Sequence, residues 1–220
     1  MEALDVKTTF LYGKLDKEIY MHQPEGFKLK GQENKVLCLH HALYSLKQAA
    51  LAWWKELETS MKRIGFHWAS SDAGVFSERV AGELIIAIVY VDDVVFFGKN
   101  LKAVKKAKQT FMDMWEYRDL SEAKEFLRMR IQRQGQKILL DQSNYLKKVV
   151  EHFGMSNTKG ATTPLPAGYV PLESDSKCSD VFRTTYQLII GSLLYIMLGT
   201  RPDITYAVTK LAQFSVTSGE

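Results

Sequence analysis

The sequence predicts an α+β fold in which helices cover one face of an antiparallel sheet. A long apolar run rich in β-branched residues, 84–91, is separated from a shorter apolar run, 94–97, by two acidic residues. Two such runs joined by a short polar turn are typical of a buried hairpin. Segments 49–64 and 101–115 carry apolar residues at three- and four-residue steps, the helical period. A hydrophobic share of 46% is ordinary for a folded domain and excludes general disorder.

The first predicted element of the chain is residues 4–6, which resemble the end of a strand. Segment 49–64 is the first predicted helix, and Gly65 is its stop signal. The strands 84–91 and 94–97 follow, and Gly98 ends the second of them. Continuous apolar runs of this length indicate strands that are buried rather than half exposed.

The second half begins at Asn100, a candidate N-cap for the helix 101–115. Four lysines of this helix are expected on its solvated face: Lys102, Lys105, Lys106 and Lys108. Segments 126–131 and 137–140 suggest a short hairpin around Gly135. Three further helices are predicted at 145–153, 186–198 and 203–214.

Charge and cysteine content exclude several classes of protein. The net charge is +4, and residues 101–160 hold 13 Lys and Arg against 7 Asp and Glu. This basic excess fits a surface that meets a polyanion, although a solvated helix face explains it equally well. Cys38 and Cys178 are too few for a disulfide scaffold or a four-cysteine zinc site, and reduced, buried thiols are expected.

The sequence predicts neither secretion nor a membrane span. The first five residues form no basic and apolar leader. Residues 184–200 carry no charge, but their strongly apolar part, 188–198, is shorter than the roughly 20 residues that a bilayer requires. A buried core helix is therefore expected there, and the chain is expected to be intracellular, in the cytoplasm or nucleus.

The acidic pair Asp92-Asp93 is the most informative feature of the sequence. Tight hairpin turns favour Asn-Gly or Asp-Gly, yet this predicted turn holds two adjacent carboxylates and no glycine. A divalent cation would relieve their repulsion, and Asp5 at the end of the first strand is a candidate third carboxylate. The alternative is that Asp is simply a common turn residue.

Several motifs closely resemble those of Ty1/copia-type retrotransposon reverse transcriptases. Segments 5–13 and 19–27 resemble the first catalytic motif and the region after it, 43–49 resembles the next motif, and Tyr90-Val91-Asp92-Asp93 resembles the catalytic tip. Later matches lie, in the order of the family, at Tyr145, 153–155, 163–165, 191–195 and 200–204. The resemblance therefore covers nearly the whole chain.

The resemblance implies a right-hand polymerase palm followed by a helical, thumb-like segment. Residues 1–132 would form the palm, and 133–160 a hairpin and helix that lead into the thumb. A linker would occupy 161–181, where prolines cluster, and 182–220 would form the helical thumb or connection.

The resemblance also implies two-metal nucleotidyl transfer in RNA-directed DNA synthesis. Asp5, Asp92 and Asp93 would be catalytic, and together with Val6 they would bind two Mg²⁺ ions, with Mn²⁺ as an alternative. The expected partners are an RNA or DNA template-primer and deoxynucleoside triphosphates. A dimer, or a separate chain that supplies the fingers, is a further expectation.

Other residues are carried over from matching motif positions. Val6, Thr8, Thr9, Phe10 and Gln48 would contact the nucleotide. Phe10 matches the steric-gate position, where a bulky ring excludes a ribose 2′-hydroxyl. A Phe beside a strand is equally well explained as a core residue. Lys47, Arg128, Arg130 and Arg133 would contact nucleic acid through phosphates. For Lys47, a plain surface charge is the alternative.

The sequence also departs from the family pattern. Ser45, Ser121 and Arg128 stand where the family usually has glycine, and Ala50-Leu51 replace a usual Pro-Arg. The chain begins just before Asp5, so the upstream fingers region is expected to be absent. These departures predict weak or no activity. They leave open a second class of function, a non-catalytic retrotransposon remnant that binds nucleic acid or a partner.

Overall fold

The computed structural model describes residues 1–80, 82–166, 168–169 and 179–216. The chain forms two compact units, Met1–Ala123 and Lys124–Glu220. Ten of the 21 residues of the predicted linker 161–181, namely 167 and 170–178, lie outside the described residues.

The described residues of the first unit form eight strands and three helices. In chain order they are β1 (Glu2–Val6), α1 (Thr9–Tyr12), β2 (Lys14–His22), β3 (Val36–His41), α2 (Ala49–Arg63), β4 (His67–Ala69), β5 (Asp72–Val80), β6 (Glu83–Tyr90), β7 (Asp93–Gly98), α3 (Leu101–Met112) and β8 (Tyr117–Glu122). Six of the strands form an antiparallel sheet in the order β4-β5-β6-β7-β1-β8, whereas β2 and β3 form a separate two-stranded sheet. The predicted α+β class with antiparallel sheets is confirmed.

The core of this unit lies between one face of the sheet and helices α2 and α3. Successive side chains of a strand point to opposite faces, so alternate residues share a face. Leu4 and Val6 of β1 and Val94 and Phe96 of β7 are almost completely buried in one cluster. That cluster also holds the apolar stripes of both helices, so the two helices cover the same face. Asp5 and Asp93 have the opposite parity and therefore belong to the other face.

The sequence signals for these two helices are met in the structure. The Asn100 side chain accepts hydrogen bonds from the backbone N–H groups of Lys102 and Ala103, as expected for an N-cap. Helix α2 packs closely on the segment after α1 because Gly13 has no side chain. A Cβ at Gly13 would lie 2.8 Å from the Cβ of Ala52.

The hairpin of β2 and β3 has no counterpart among the predicted elements. Most of its residues are exposed, so the alternation that marks a half-buried strand is weak in the sequence. Cys38 lies on β3 as a free and exposed thiol. The prediction of a buried thiol was therefore wrong for Cys38, and Cys178 lies outside the described residues.

Lys108 is a second departure from the sequence prediction, since it is only 3% exposed. Its ammonium donates to Glu2 Oε2 at 3.1 Å and to Asp119 Oδ1. A β-bulge in β8, opposite Ala3 and Leu4 of β1, brings Asp119 into this cluster. Lys108 therefore joins α3 to two strands of the sheet instead of lying on a solvated helix face.

In the part of the second unit that the structure describes, there are a three-stranded antiparallel sheet and three helices. Its elements are β9 (Glu125–Phe126), β10 (Met129–Gln134), β11 (Lys137–Asp141), α4 (Ser143–His152), α5 (Asp180–Gly199), a 3₁₀ turn (Pro202–Ile204) and α6 (Thr205–Ala212). The buried Gln142 donates to the carbonyl of Tyr195 at 3.3 Å and accepts from Thr200 Oγ1 at 2.8 Å. These bonds tie the start of α4 to the end of α5.

Helix α5 is longer and more exposed than the sequence predicts. It has 20 residues, and by length and composition it is the one helix among the described residues that could cross a membrane. Only 17% of its 18-residue apolar stretch is buried. The buried residues of the helix are Ile190, Ile196 and Met197. The expectation of a buried core helix was therefore wrong, because the helix packs along a narrow stripe.

Arg128 lies in a strained turn, and its replacement by glycine is expected to stabilise the chain. Leu127 and Arg128 join β9 to β10 with φ values of 49° and 58°. Positive φ at both central residues marks a type I′ turn, which favours glycine. Arg128→Gly should raise the free energy of unfolding by about 1 kcal/mol, measured by urea titration. Arg128→Ala removes the charge but keeps the side-chain strain, so an equal gain from alanine would contradict a cause in the backbone.

A second prediction concerns Asp141, whose carboxylate accepts from Arg130 Nε at 2.9 Å and from the backbone N–H of Ser143 at 3.0 Å. The Arg130 guanidinium and these bonds lower the pKa of Asp141 to about 2. A ¹³C NMR titration should show this value in the wild type and a return toward the ordinary value in Arg130→Ala. Lys137→Ala is the matched control on β11, and a similar pKa rise in that variant would contradict the assignment to Arg130.

Candidate functional site

The strand register brings Asp5 and the acidic pair together at one end of the six-stranded sheet. Asp5 of β1 lies directly opposite Asp93 of β7. The backbone N–H of Val6 donates to the carbonyl of Asp92 at 2.8 Å. Residues about 90 positions apart in the sequence are therefore adjacent in the fold, on the sheet face opposite α2 and α3.

The turn that carries the acidic pair differs by one residue from the prediction. Tyr90 pairs with Asp93, so the two central turn residues are Val91 and Asp92, and Asp93 is the first residue of β7. Val91 has a φ of 57°, which is strained for a β-branched residue. Positive φ at the first central residue alone is the pattern of a type II′ turn, where glycine is usual.

Helix α2 holds this strained turn in place. The indole Nε1 of Trp53 donates to the carbonyl of Val91 at 2.8 Å. The buried Trp53 ring packs edge-on against Trp115 with centroids 5.1 Å apart, and Trp115 packs in the same way on Tyr12 at 4.7 Å. This aromatic cluster therefore supports the turn from the side of the helices.

Asp5 has a cationic partner on the neighbouring strand. Arg118 of β8 is paired with Asp5 in the register, and its Nη2 lies 3.4 Å from Asp5 Oδ2. The Asp5 side chain is 24% exposed. The Arg118 guanidinium therefore balances one of the carboxylates at this end of the sheet.

The donor set has the chemistry that Mg²⁺ prefers, since carboxylate oxygens are its usual protein ligands. The backbones of three residues with such side chains, Asp5, Asp92 and Asp93, meet at this end of the sheet. Across the described residues, however, no three His, Cys, Asp or Glu side chains are close enough to hold a metal ion. Instead, the Asp5 carboxylate is directed toward Arg118.

The predicted nucleotide-contacting residues lie at the start of α1 and just before α2. Thr8 is exposed and has a φ of 51°, and Thr9 is fully buried with its hydroxyl unpartnered among the described residues. Phe10 is half buried, and its ring lies edge-on to Tyr44 at 5.0 Å. Gln48 is exposed just before α2 and makes no capping bond. The nucleotide roles of these residues stay predictions.

The basic residues predicted to contact nucleic acid have different surroundings. Lys47 is exposed in the first unit. In the second unit, Arg128 is exposed at the β9–β10 turn, Arg130 forms an ion pair with Asp141, and Arg133 lies exposed on β10. The ion pair reduces the charge that Arg130 can offer to a phosphate. The phosphate-contact roles remain predictions.

All three positions where the resemblance expects glycine have left-handed backbone conformations. The φ values are 72° at Ser45, 58° at Ser121 and 58° at Arg128. Glycine adopts this region at no steric cost, whereas other residues are strained there. The backbone conformation therefore explains why glycine would suit these positions. The fold keeps this conformation although the three residues are not glycine.

Trp53 and Arg118 are parts of this site that the sequence motifs do not mark. Trp53 follows the helical period of α2, which predicts only a core residue. Arg118 lies on a strand that the sequence pattern did not show, and its proximity to Asp5 depends on the register of β8. No local sequence signal could have revealed that contact.

Comparison with known proteins identifies the family. The family model described as reverse transcriptase (RNA-dependent DNA polymerase) matches residues 1–167. The chain is 37% identical over its full length to the retrovirus-related Pol polyprotein from transposon TNT 1-94 of Nicotiana tabacum. It is 36% identical over 97% of its length to the corresponding polyprotein from transposon RE1 of Arabidopsis thaliana. It spans 17% and 14% of these two relatives.

A shorter relative is matched over most of its own length. The chain is 32% identical over 96% of its residues to the putative transposon Ty5-1 protein of Saccharomyces cerevisiae, and it covers 68% of that protein. No solved structure matches the chain. The family-model match and the whole-length similarity agree, and the chain therefore belongs to the reverse transcriptase family, as a domain of the copia-type Pol polyproteins.

Proposed function

We propose that this chain carries the catalytic centre of an RNA-directed DNA polymerase, which adds deoxynucleotides to a primer by two-metal nucleotidyl transfer. The observation that carries the proposal is the pairing of Asp5 with Asp93 beside Asp92. In this proposal residues 1–132 form the palm, 133–160 lead into the thumb, and 182–220 form the helical thumb or connection.

Asp5, Asp92, Asp93 and Val6 would hold two Mg²⁺ ions in this proposal. When bound, such ions activate the primer 3′-hydroxyl and stabilise the charge that develops on the triphosphate. Metal binding would require the Arg118 guanidinium to leave the Asp5 carboxylate. The Arg118 side chain is 67% exposed, so it can move into solvent. The strained Val91 turn, held by Trp53, fixes the backbone that presents Asp92.

The remaining residues would orient substrates. Phe10 is half buried against Tyr44, and in this proposal its ring would contact the sugar of a deoxynucleotide and disfavour a ribose. Thr8 and Gln48 have exposed polar side chains on the same unit. Lys47 and the arginines of β10 and its turn would contact template-primer phosphates. In this proposal the chain would act in the cytoplasm or nucleus.

The alternative is a non-catalytic protein that binds nucleic acid or a partner. The ion pair between Asp5 and Arg118 favours this alternative, because the carboxylate that would bind a metal ion is already paired with a guanidinium. A further observation in its favour is that no three acidic side chains converge within the described residues.

Primer extension distinguishes the two proposals. Purified chain is incubated with an oligo(dT) primer on a poly(rA) template, dTTP and Mg²⁺, and products are resolved by length. Extension that stops on addition of EDTA and returns with excess Mg²⁺ supports the polymerase. A chain that binds the template-primer but never extends it, with Mg²⁺ or Mn²⁺, supports the non-catalytic alternative.

A further inference from the structure

The turn between β9 and β10 is held by a side chain of helix α5. The hydroxyl of Tyr195 donates to the carbonyl of Leu127, the first of the two central residues of that turn. The Tyr195 ring packs edge-on against Tyr145 of α4, with the ring centroids 4.9 Å apart. Tyr195 and Leu127 are 68 positions apart in the sequence and belong to the same compact unit. Helix α5 therefore supports the backbone of a turn that is remote from it along the chain.

Tyr195 is itself fixed by a buried amide. Its carbonyl accepts from Nε2 of Gln142 at 3.3 Å, and Oε1 of Gln142 accepts from Oγ1 of Thr200 at 2.8 Å. Gln142 is only 2% exposed. A Cβ at Gly199 would lie 2.5 Å from Gln142 Nε2, so the glycine makes room for this amide. The Tyr195 hydroxyl is therefore presented by a rigid part of the helix.

The backbone of the β9–β10 turn needs such a support. Leu127 and Arg128 have φ values of 49° and 58°, and a strained backbone persists only where its surroundings determine it. The acidic turn is held in the same way, because the carbonyl of Val91, with a φ of 57°, accepts from the indole of Trp53. At both turns an aromatic donor on a helix binds the carbonyl of the first central residue.

The side chain that this turn presents is Arg128, which is exposed. Among the described residues, none forms a hydrogen bond or an ion pair with its guanidinium. The nearest acidic residue in the sequence, Glu125, is paired in the register with Arg130, whose own partner is Asp141. The backbone of the turn therefore decides where Arg128 points. A guanidinium binds a phosphate through two parallel hydrogen bonds, so its orientation matters.

We propose that Tyr195 is a positioning residue for nucleic-acid binding, whose hydroxyl fixes the β9–β10 turn so that Arg128 meets a backbone phosphate of the template-primer. This inference rests on the proposed function, which gives Arg128 that phosphate. It adds that the contact depends on α5, a helix beyond residues 1–167, which the family model matches. The role requires neither metal nor turnover.

The first test measures how firmly the turn is held. Tyr195→Phe removes the hydroxyl and keeps the ring on Tyr145. Tyr186→Phe is the matched control on the same helix, because the Tyr186 hydroxyl donates to the carbonyl of Leu211 at 2.8 Å. Limited trypsin digestion with mass spectrometry measures the rate of cleavage after Arg128. Tyr195→Phe should raise this rate about fivefold, as the loss of one hydrogen bond predicts, and Tyr186→Phe should leave it unchanged.

The second test measures binding of a labelled RNA–DNA duplex by fluorescence anisotropy in EDTA. Arg128→Ala should weaken binding about tenfold and Tyr195→Phe about fivefold. The double variant Tyr195→Phe/Arg128→Ala should bind no more weakly than Arg128→Ala alone, because both changes remove the same contact. Tyr195→Phe should also reduce the slope of log affinity against log salt by about 0.9, the value for one phosphate. Tyr186→Phe should change neither quantity.

A rescue variant separates positioning of the turn from a general effect on stability. Asparagine is favoured at the first central residue of a type I′ turn, because it tolerates a positive φ. Leu127→Asn should therefore hold the turn without the Tyr195 hydroxyl. Combined with Tyr195→Phe, it should restore most of the duplex binding and slow the cleavage after Arg128 again.

Four results would overturn the proposal. These are unchanged cleavage after Arg128 in Tyr195→Phe, binding losses of Tyr195→Phe and Arg128→Ala that add in full, equal binding losses in Tyr195→Phe and Tyr186→Phe, or no rescue by Leu127→Asn. A wild type that binds no duplex would overturn both this inference and the proposed function. Duplex binding that depends on Tyr195, in a chain that does not extend primers, keeps this inference and loses only the polymerase.

Discussion

Replacing Asp92 by asparagine is expected to abolish Mg²⁺-dependent primer extension, with a loss of at least about 10³-fold. Asparagine keeps the size of the side chain but removes the charge that a metal ion requires. The backbone of Asp92 accepts a hydrogen bond from Val6, and that bond does not depend on the side chain. The fold of the turn should therefore survive while the chemistry is lost.

The matched control for this variant is Asp113→Asn. Asp113 is an exposed aspartate at the C-terminal end of α3, and its replacement should leave extension unchanged. Both variants should unfold at the wild-type temperature. Undiminished extension by Asp92→Asn would show that the acidic pair at the turn is not the site of catalysis.

Arg118→Ala tests the same carboxylates from the opposite direction. The guanidinium occupies Asp5 Oδ2 at 3.4 Å and competes with a metal ion for that oxygen. Its removal should lower the Mg²⁺ concentration that gives half-maximal extension, by up to about threefold for an exposed pair. A higher Mg²⁺ requirement in this variant would indicate that Arg118 supports the site instead of competing for it.

The sequence predicted the central strands and the main helices because their signals are local. Each apolar run in 84–97 lies within a single strand, and the apolar stripe of α2 lies within a single helix. The hairpin of β2 and β3 escaped prediction because its side chains are mostly exposed and show no buried alternation. Its stability depends on cross-strand pairing, which a single segment does not reveal.

The candidate site was predictable in its residues but not in its details. The resemblance selected Asp5, Asp92 and Asp93, and the register of β1 and β7 brings their backbones together. The one-residue shift of the turn was not predictable from local preferences, which disfavour positive φ at a valine. The tertiary contact seen at this turn comes from Trp53 of α2, whose indole donates to the Val91 carbonyl.

The prediction that Lys108 lies on the solvated face is wrong, although lysine is usually found on that face of a helix. Position 108 lies four residues after Val104 and three before Phe111, so it falls on the buried stripe of α3. Its partner Glu2 is near the start of the chain, and Asp119 lies on a bulged strand. The helical period alone indicated burial, but the partners that make burial tolerable are set by tertiary structure.

Lys108→Met is therefore expected to destabilise the chain by about 3–5 kcal/mol, measured by urea unfolding. Methionine fits the apolar stripe, but it leaves the buried carboxylate of Glu2 without its partner. Lys105→Met, on the exposed face of the same helix, is the matched control and should change stability little. The double variant Glu2→Gln/Lys108→Met should recover part of the loss, because no uncompensated charge remains at Glu2.

The pH dependence of unfolding provides an independent check on this cluster. Lys108 lowers the pKa of Asp119 through its hydrogen bond, and the Ser121 backbone N–H adds to the effect. A carboxyl with a lowered pKa in the folded state contributes stability above its ordinary pKa, and this contribution is lost as pH falls through the lowered value. The acid-side loss of stability should therefore be smaller in Lys108→Met than in the wild type. Equal acid sensitivity of the two proteins would contradict this role of Lys108. So would a loss of unfolding free energy in Lys108→Met that is no greater than in Lys105→Met. Either result would show that the buried ammonium does not stabilise the sheet through Glu2 and Asp119.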